Sequence, residues 1–316
     1  MTRRLAAVIC TYNPEPVLLG RVLDALEVQT LPREQWELII VDNGSRFSVE
    51  ALPTVVSRSA RRVVREERAG LTAARERAAR EVQEPLIVFV DDDTVLARDY
   101  LAEAVALMND ASIGIASGWC EPEYSAPPPH WLRRFEEGLG VRRPAGGEFR
   151  PAGRTYSLDY PIGAGMVLRS HLLRAYFASL TEASRIEGRI GQSLSSGEDL
   201  DLDCFALAQG TRIGASSRLR LTHVMRDGRA TEAYLRRLHQ ASLASCLQVN
   251  EKWRVSFGHD VFPIFQRPRP VSLLRIVLSA VCSWSPTFRI RLHAERALLA
   301  LTRPPSARAG SSARHG

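Results

Sequence analysis

The run Leu86-Ile87-Val88-Phe89-Val90-Asp91-Asp92-Asp93 places three carboxylates directly after five apolar residues. An apolar strand ending this way concentrates negative charge where a sheet meets solvent, and a divalent cation is the commonest relief of such repulsion. Hard cations such as Mg2+ take oxygen ligands and keep positions open for phosphate oxygens. Acidic residues also cap helices and line turns, so the triplet alone leaves metal binding open. A second acidic pair, Glu198-Asp199, precedes the apolar-periodic run Leu200, Cys204, Leu207 and is placed to open a helix. Carboxylates in a first helical turn suit the helix dipole whatever else they do. His223 follows the strand-like stretch 212–222 and is either a further metal ligand or a satisfied histidine.

These residues need a frame. Leu5–Cys10 reads as a buried strand followed by the polar loop Thr11-Tyr12-Asn13-Pro14, and Val17–Leu26 has helical periodicity. Glu37–Val41 is a second strand ending in Asp42-Asn43-Gly44-Ser45, a turn by composition; Arg62–Val64 is a short third. Leu71–Val82 is helical and Leu86–Val90 the fourth strand. Strands alternating with helices predict a mostly parallel sheet with covered faces, whose ligands bind outside the carboxyl ends of the strands. Thr11–Asn13, Asp42 and Asp91–Asp93 occupy three such ends and should converge on one crevice. Residues 121–157, with Pro127-Pro128-Pro129, Trp131 and several glycines, read as an irregular insertion, a flap over the site. Order returns at Tyr160–Arg169, followed by a helix through Tyr176.

Composition narrows the function classes. The chain has 316 residues, enough for one large domain or two small ones, and 45% hydrophobic content supports a sizeable core. Among 42 Lys and Arg only Lys252 is a lysine, which excludes a Schiff-base or P-loop lysine elsewhere. Residues 251–316 hold 11 basic and 3 acidic groups, an excess of +8, while the rest balances to −1. The basic character therefore belongs to the C-terminal part and not to a nucleic-acid groove. Five cysteines without a CxxC pair argue for reduced thiols in a cytosolic compartment and against zinc. The six apolar residues after the N-terminal arginines are too few for a signal peptide.

Beyond Ala230 the pattern is helical. Val271–Val281 is apolar, contains Arg275 and is shorter than the roughly 18–20 residues a bilayer span needs. Pro286 separates it from the basic, weakly amphipathic Phe288–Leu301. Two readings stand side by side, an anchor lying on anionic lipid and a helical subdomain packed on the core. The division expected is 1–228 for the site-bearing domain, 229–302 for the helical region, and a disordered 303–316 tail.

Taken together, Ala7-Val8-Ile9-Cys10-Thr11-Tyr12-Asn13, Leu38–Ser45, Gly70-Leu71 with Ala74-Arg75, Phe89–Asp93, Gly163-Ala164-Gly165-Met166 and Gly197-Glu198-Asp199 resemble the family-two glycosyltransferases of GT-A fold, in order and spacing. The likeness runs over about residues 5–225 and does not extend securely into the C-terminal helices. It implies a GT-A, Rossmann-like α/β sheet with flanking helices plus a C-terminal helical extension. It also implies transfer of a sugar from a nucleotide-diphosphate donor to a hydroxyl acceptor, which is a glycan, a lipid-linked glycan or a small molecule.

The resemblance assigns roles. Thr11, Tyr12, Asn13 and Glu15 would border the nucleotide, and Asp42 would accept a hydrogen bond from the base. Arg75, on the helix after Gly70, would approach the pyrophosphate, with a solvated helical arginine as the plain alternative. Asp92 and Gly165 would line the donor site, the Gly163–Met166 glycines letting backbone approach the sugar. Asp93, with Asp91 and His223 as further candidates, would hold Mn2+ or Mg2+ against the diphosphate, whose departure builds negative charge, and Asp91 would also lie near the nucleotide ribose. Asp199 would be the general base and Glu198 its positioning neighbour; one base without a second carboxylate nucleophile fits single displacement with inversion. Trp131 would stack on a sugar or anchor its loop.

Two rival readings use the same residues. Asp91-Asp92-Asp93-Thr94-Val95 matches the opening motif of haloacid-dehalogenase-like phosphatases, but those place it on their first strand and need a later lysine and another acidic pair. A non-catalytic nucleotide-sugar or glycan-binding protein on the same fold is the other, and retention of both acidic motifs speaks against it. Gly163-Ala164-Gly165 lacks the third glycine of a dinucleotide fingerprint.

Overall fold

Strand β1 (Leu5–Thr11) serves two cores at once. Side chains of a strand alternate between faces. Ala6 and Val8 join one apolar cluster with Ile39, Ile87, Phe89 and Leu202, while Leu5, Ala7 and Ile9 join another with Leu19, Leu23, Ile40 and Val88. That double burial explains why the strand reads as an unbroken apolar run. The structure, a computed structural model, describes residues 3–58, 61–191, 193–226 and 228–302; the expected disordered tail lies outside them.

The elements follow as α1 (Pro16–Glu27), β2 (Trp36–Asp42), α2 (Pro53–Val56), β3 (Arg61–Arg65), α3 (Leu71–Glu81), β4 (Leu86–Val90), β5 (Thr94–Leu96) and α4 (Tyr100–Leu107). Then come β6 (Ile113–Tyr124), a 3-10 helix (His130–Leu139), β7 (Arg150–Ala152), β8 (Val167–Arg169), α5 (Ser170–Ser179), α6 (Glu198–Ala208) and β9 (Arg212–Met225). Three helices end the described chain: α7 (Glu232–Phe257), α8 (Arg269–Val281) and α9 (Pro286–Leu301). The sheet order is β3-β2-β1-β4-β8-β6-β9-β5, with β7 paired to β9. β3, β2, β1 and β4 are mutually parallel, as are β6 and β9; β8 and β5 run antiparallel to their neighbours.

Register delivers the polar strand ends together. Thr11 pairs with Asp42, Asp42 with Arg65 and Ile9 with Val90, so the residues after β1, β2 and β4 share one edge. β5 returns against β9 with Thr94 opposite His223, bringing the histidine beside Asp93. Phe89 exchanges backbone hydrogen bonds with Gly165 and Met166, which seats the glycine segment over the end of β4.

The structure corrects the expected irregularity of residues 121–157 and details two other stretches. Residues 121–157 are not uniformly irregular: β6 runs through Tyr124, the 3-10 helix buries Leu132, Phe135 and Leu139, and β7 joins the sheet. Trp131 packs edge-on against Phe135, an anchor within this layer. In the stretch 160–169 only Val167–Arg169 is strand, because Pro161 has no N–H to donate and the tight turn at Gly163–Met166 interrupts pairing. Of the two readings of the C-terminal helices, α9 follows the packed one, with Ile290 buried beside Leu235 and Leu238 of α7 and Phe135.

One ion pair ties the site-bearing helix α6 to α7. The fully buried Asp201 carboxylate accepts hydrogen bonds from Tyr176 (2.7 Å), Trp253 (2.6 Å) and the sole lysine, Lys252 (2.7 Å). Removing one partner of a buried pair leaves an uncompensated charge and costs about 3–5 kcal/mol. Lys252→Met is therefore expected to lower the free energy of unfolding by the smaller of these values, about 3 kcal/mol, since the amine retains some exposure. Urea denaturation checks it; an unchanged midpoint would mean the pair contributes nothing to holding the layers together.

Candidate active site

Two acidic groups face each other across the carboxyl edge of the sheet. The first surrounds the end of β4. Thr11 donates its hydroxyl to Asp92 (2.5 Å), and Arg226 also binds Asp92 (2.5 Å). Asp93 lies 3.5 Å from His223 Nε2 and is bound by Arg229 (3.0 Å), whose other terminal nitrogen reaches His223 Nε2 at 2.8 Å. Asp91 has no hydrogen-bond or ion-pair partner for its carboxylate among the described residues. Burial and then Asp93 push the Asp91 carboxyl up; burial and Asp93 likewise raise Asp92, to about 6. Burial works in the same direction on Asp93, but His223, Arg229 and Arg226 outweigh it and hold that carboxyl well below the usual range. The three neighbouring acids thus differ because Asp93 is contacted by His223 and two arginines, Asp92 by one arginine and the Asp91 carboxylate by none among the described residues.

The second group opens α6. Asp199 accepts a hydrogen bond from the Gly163 N–H (2.9 Å) and is paired with Arg75, which also reaches Glu198 at 3.5 Å. Arg75 is only 4% exposed and its guanidinium lies 5.0 Å from the Phe89 ring centroid, so it is no solvated helix arginine. Burial works against its charge, yet Asp199, Glu198 and Asp91 together raise its pKa. Burial and then the Asp199 charge push Glu198 up to about 7, with Arg75 opposing. A side chain at residue 163 would meet the ends of Arg75 and Asp199, so any larger residue there has to displace that pair. Asp91 joins the two groups: it feels Asp93 and His223 on one side, Arg75 and Asp199 on the other.

The remaining predicted residues lie around this edge. Asp42 accepts from the Ser45 N–H (2.9 Å) and Arg65 (2.8 Å), and both border a cleft of about 410 Å³ that also contains Phe47 and Val63. Asn13 sits at φ +48°, held through its N–H on Ser45 and its side-chain oxygen on the Arg46 N–H. Tyr12 is half-exposed. Gly70, at φ +117°, donates to Asn43 (2.8 Å) and begins α3, aiming Arg75 inward. Gly165, at φ +73°, leaves room for the Tyr100 hydroxyl. Glu15 is exposed at the start of α1 and its side chain makes no cap, so nothing draws it toward the edge.

Sequence reasoning missed Arg226 and Arg229; their position just past His223 was the available signal. It also missed Asp203, one turn beyond Asp199, whose two carboxylate oxygens are buried without partners and whose pKa burial raises well above the ordinary value. No three His, Cys, Asp or Glu side chains among the described residues are gathered as a ready metal site. The donor types nonetheless fit a hard divalent cation: the carboxylates of Asp91, unpartnered, and Asp93, with one imidazole. Arg229 now bridges Asp93 and His223, supplying positive charge at that corner.

The family model described as Glycosyl transferase family 2 matches residues 6–177. No curated protein matches the chain. Among solved structures, S. aureus TarS is 16% identical with a TM-score of 0.52, over 95% of this chain and 54% of that one. The chain thus spans about half the length of TarS. S. aureus TarS 1-349 in complex with UDP-GlcNAc is 15% identical, TM-score 0.54, over 97% of this chain and 92% of that one. The mannosyltransferase PcManGT from Pyrobaculum calidifontis, in complex with GDP-Man and Mn2+, is 18% identical, TM-score 0.57, over 99% and 89%.

Proposed function

We propose, on the premise that the chain belongs to glycosyl transferase family 2 and has the GT-A fold, that it transfers a sugar from a nucleoside-diphosphate donor to a hydroxyl acceptor with inversion. One observation carries this reading: Asp91 lies near enough to Asp93 and His223, and to Arg75 and Asp199, to feel the charge of each, which supports a single space bordered by the proposed phosphate-facing and proton-accepting groups. The 410 Å³ cleft beside Asp42 supports placing the nucleoside base there, with Phe47 as an apolar wall. Thr11, Tyr12, Asn13, Asp92, Gly70 and Gly165 border the donor; Glu15 is its outermost candidate.

Asp199 takes the proton of the acceptor hydroxyl. As that proton leaves, the acceptor oxygen bonds the anomeric carbon from the face opposite the diphosphate, and the carbon–oxygen bond to the diphosphate breaks. The nucleoside diphosphate departs with the electron pair. A base must be ionised and within reach of its proton, and an Asp199 locked to Arg75 is a poor one. The donor diphosphate offers Arg75 a competing anion, so donor binding frees Asp199 while drawing the guanidinium toward developing negative charge. Glu198 remains behind to hold the arginine. Asp91, Asp93 and His223 would hold Mn2+ or Mg2+, which when bound stabilises charge on the leaving diphosphate.

All five cysteines are free, which supports a reducing, cytoplasmic setting. Surface polysaccharide or glycolipid assembly is the acceptor class we favour. The test is a thermal-shift screen of uridine, guanosine and thymidine diphosphate sugars with Mn2+. At about a hundred times Kd a ligand of the native state adds about 2.7 kcal/mol of stability, so one nucleoside class should raise Tm clearly. Absence of any shift across the three classes would end the reading.

A further inference from the structure

Helix α8 is turned inside out. Ser272 (3% exposed) and Ser279 (5%) form its buried stripe, while Leu274 (59%), Val277, Leu278, Val281 (74%) and, just beyond, Trp284 (81%) face outward. Of fifteen large hydrophobics exposed among the described residues, seven lie between Val271 and Trp284. A helix in contact with water does the opposite, burying its aliphatic stripe and exposing its serines. Contiguous exposed apolar surface of this kind marks a binding face.

The rim of that face is of one sign. The segment from Arg269 to Leu301 contains Arg269, Arg275, Arg289, Arg291 and Arg296 and one acid, Glu295. Glu295 is buried and already shared by Arg267 (2.8 Å) and Arg275, an arrangement that pins α8 to α9 with its aliphatic side outward. Arg289 fixes the turn between the helices by binding Glu232 of α7 and the carbonyls of Ser283 and Trp284. The face is therefore built into the fold. None of the described helices is long and apolar enough to cross a membrane.

We infer that α8 docks the protein flat on an anionic bilayer, its aliphatic face in the acyl boundary, Trp284 at the headgroup level and the arginines not held in ion pairs among the described residues, Arg269, Arg291 and Arg296, on lipid phosphates. A second copy of the chain fits less well, because a two-fold contact would set this arginine rim against itself. The inference is independent of the transferase reading.

The full-length chain is pelleted with phosphatidylcholine vesicles that contain or lack phosphatidylglycerol, at low salt. Co-sedimentation with the anionic vesicles alone is expected. Leu274→Glu with Leu278→Glu should weaken it by at least about tenfold, since burying one leucine is worth roughly that factor; both residues are exposed, so Tm should hold. Vesicles should also blue-shift Trp emission in the parent chain, and Trp284→Phe should remove the shift. The inference falls if the parent chain stays in the supernatant, if the double variant pellets equally, or if the emission shift survives Trp284→Phe. It falls too if the parent chain, without lipid, forms a dimer in equilibrium sedimentation that the double variant lacks.

Discussion

Asp199→Asn is expected to lower turnover by about 10²–10⁴-fold, the span that general-base catalysis contributes, while nucleoside-diphosphate affinity does not weaken. Asparagine keeps the size of the side chain and can still accept the Gly163 N–H, so the opening of α6 is preserved. What disappears is the proton acceptor and one of the anions holding Arg75. Arg75 keeps Glu198 but is more available to a diphosphate, so any change in donor Kd should be toward tighter binding. Initial-rate kinetics with calorimetric titration of the nucleoside diphosphate separate the two effects. Turnover close to that of the parent chain would remove Asp199 as the base; weakened donor binding with it would mean that Arg75 has no role at the diphosphate.

Asp93→Ala is expected to abolish stimulation of nucleoside-diphosphate binding by Mn2+. The physical argument has two sides. Asp93 is the member of the triplet held most firmly ionised, by His223, Arg229 and Arg226, and is therefore the strongest candidate donor to a cation. Its removal also takes one anionic partner from Arg226 and Arg229, beside where the diphosphate is proposed to lie, so metal-free binding of the anionic nucleotide should persist or strengthen even as the Mn2+ response vanishes. Calorimetry in chelator and in Mn2+ reads both quantities in one variant. Stability should fall as well, by about 3–5 kcal/mol if the cluster behaves like other broken buried pairs, and Asp93→Asn provides a milder replacement. A Mn2+ response that survives both substitutions would show that the cation is held elsewhere or not at all.

The parallel half of the sheet was legible because strands covered on both faces are unbroken apolar runs: Leu5–Cys10, Glu37–Val41 and Leu86–Val90 each lie within an observed strand. Their polar ends announced the edge on which the candidate site is built. Strand β6 was not legible, since Gly114, Gly118 and Pro122 interrupt its pattern and its register against β9 shifts at Gly118. The reason lies in tertiary contact: a side chain at residue 118 would overlap the Leu219 backbone. The residues of the candidate site could be named individually from the sequence, but not their pairings. Arg75 and Asp199 are 124 positions apart, and no local pattern reveals that a helix arginine turns inward to meet them. Similarly, the mostly apolar eleven-residue stretch Val271–Val281 hinted at a membrane-facing segment, yet only packing reveals which side of α8 is covered.

The single lysine has a chemical consequence. Acylating and aldehyde reagents, commonly used to decorate protein exteriors at random, meet one side-chain amine on this chain, and it is engaged with Asp201 at the joint between α6 and α7. Modification there erases the charge that neutralises a fully enclosed acid. Acylation of that side chain is therefore not a neutral label: it is expected to loosen the joint that Asp201 holds between α6 and α7.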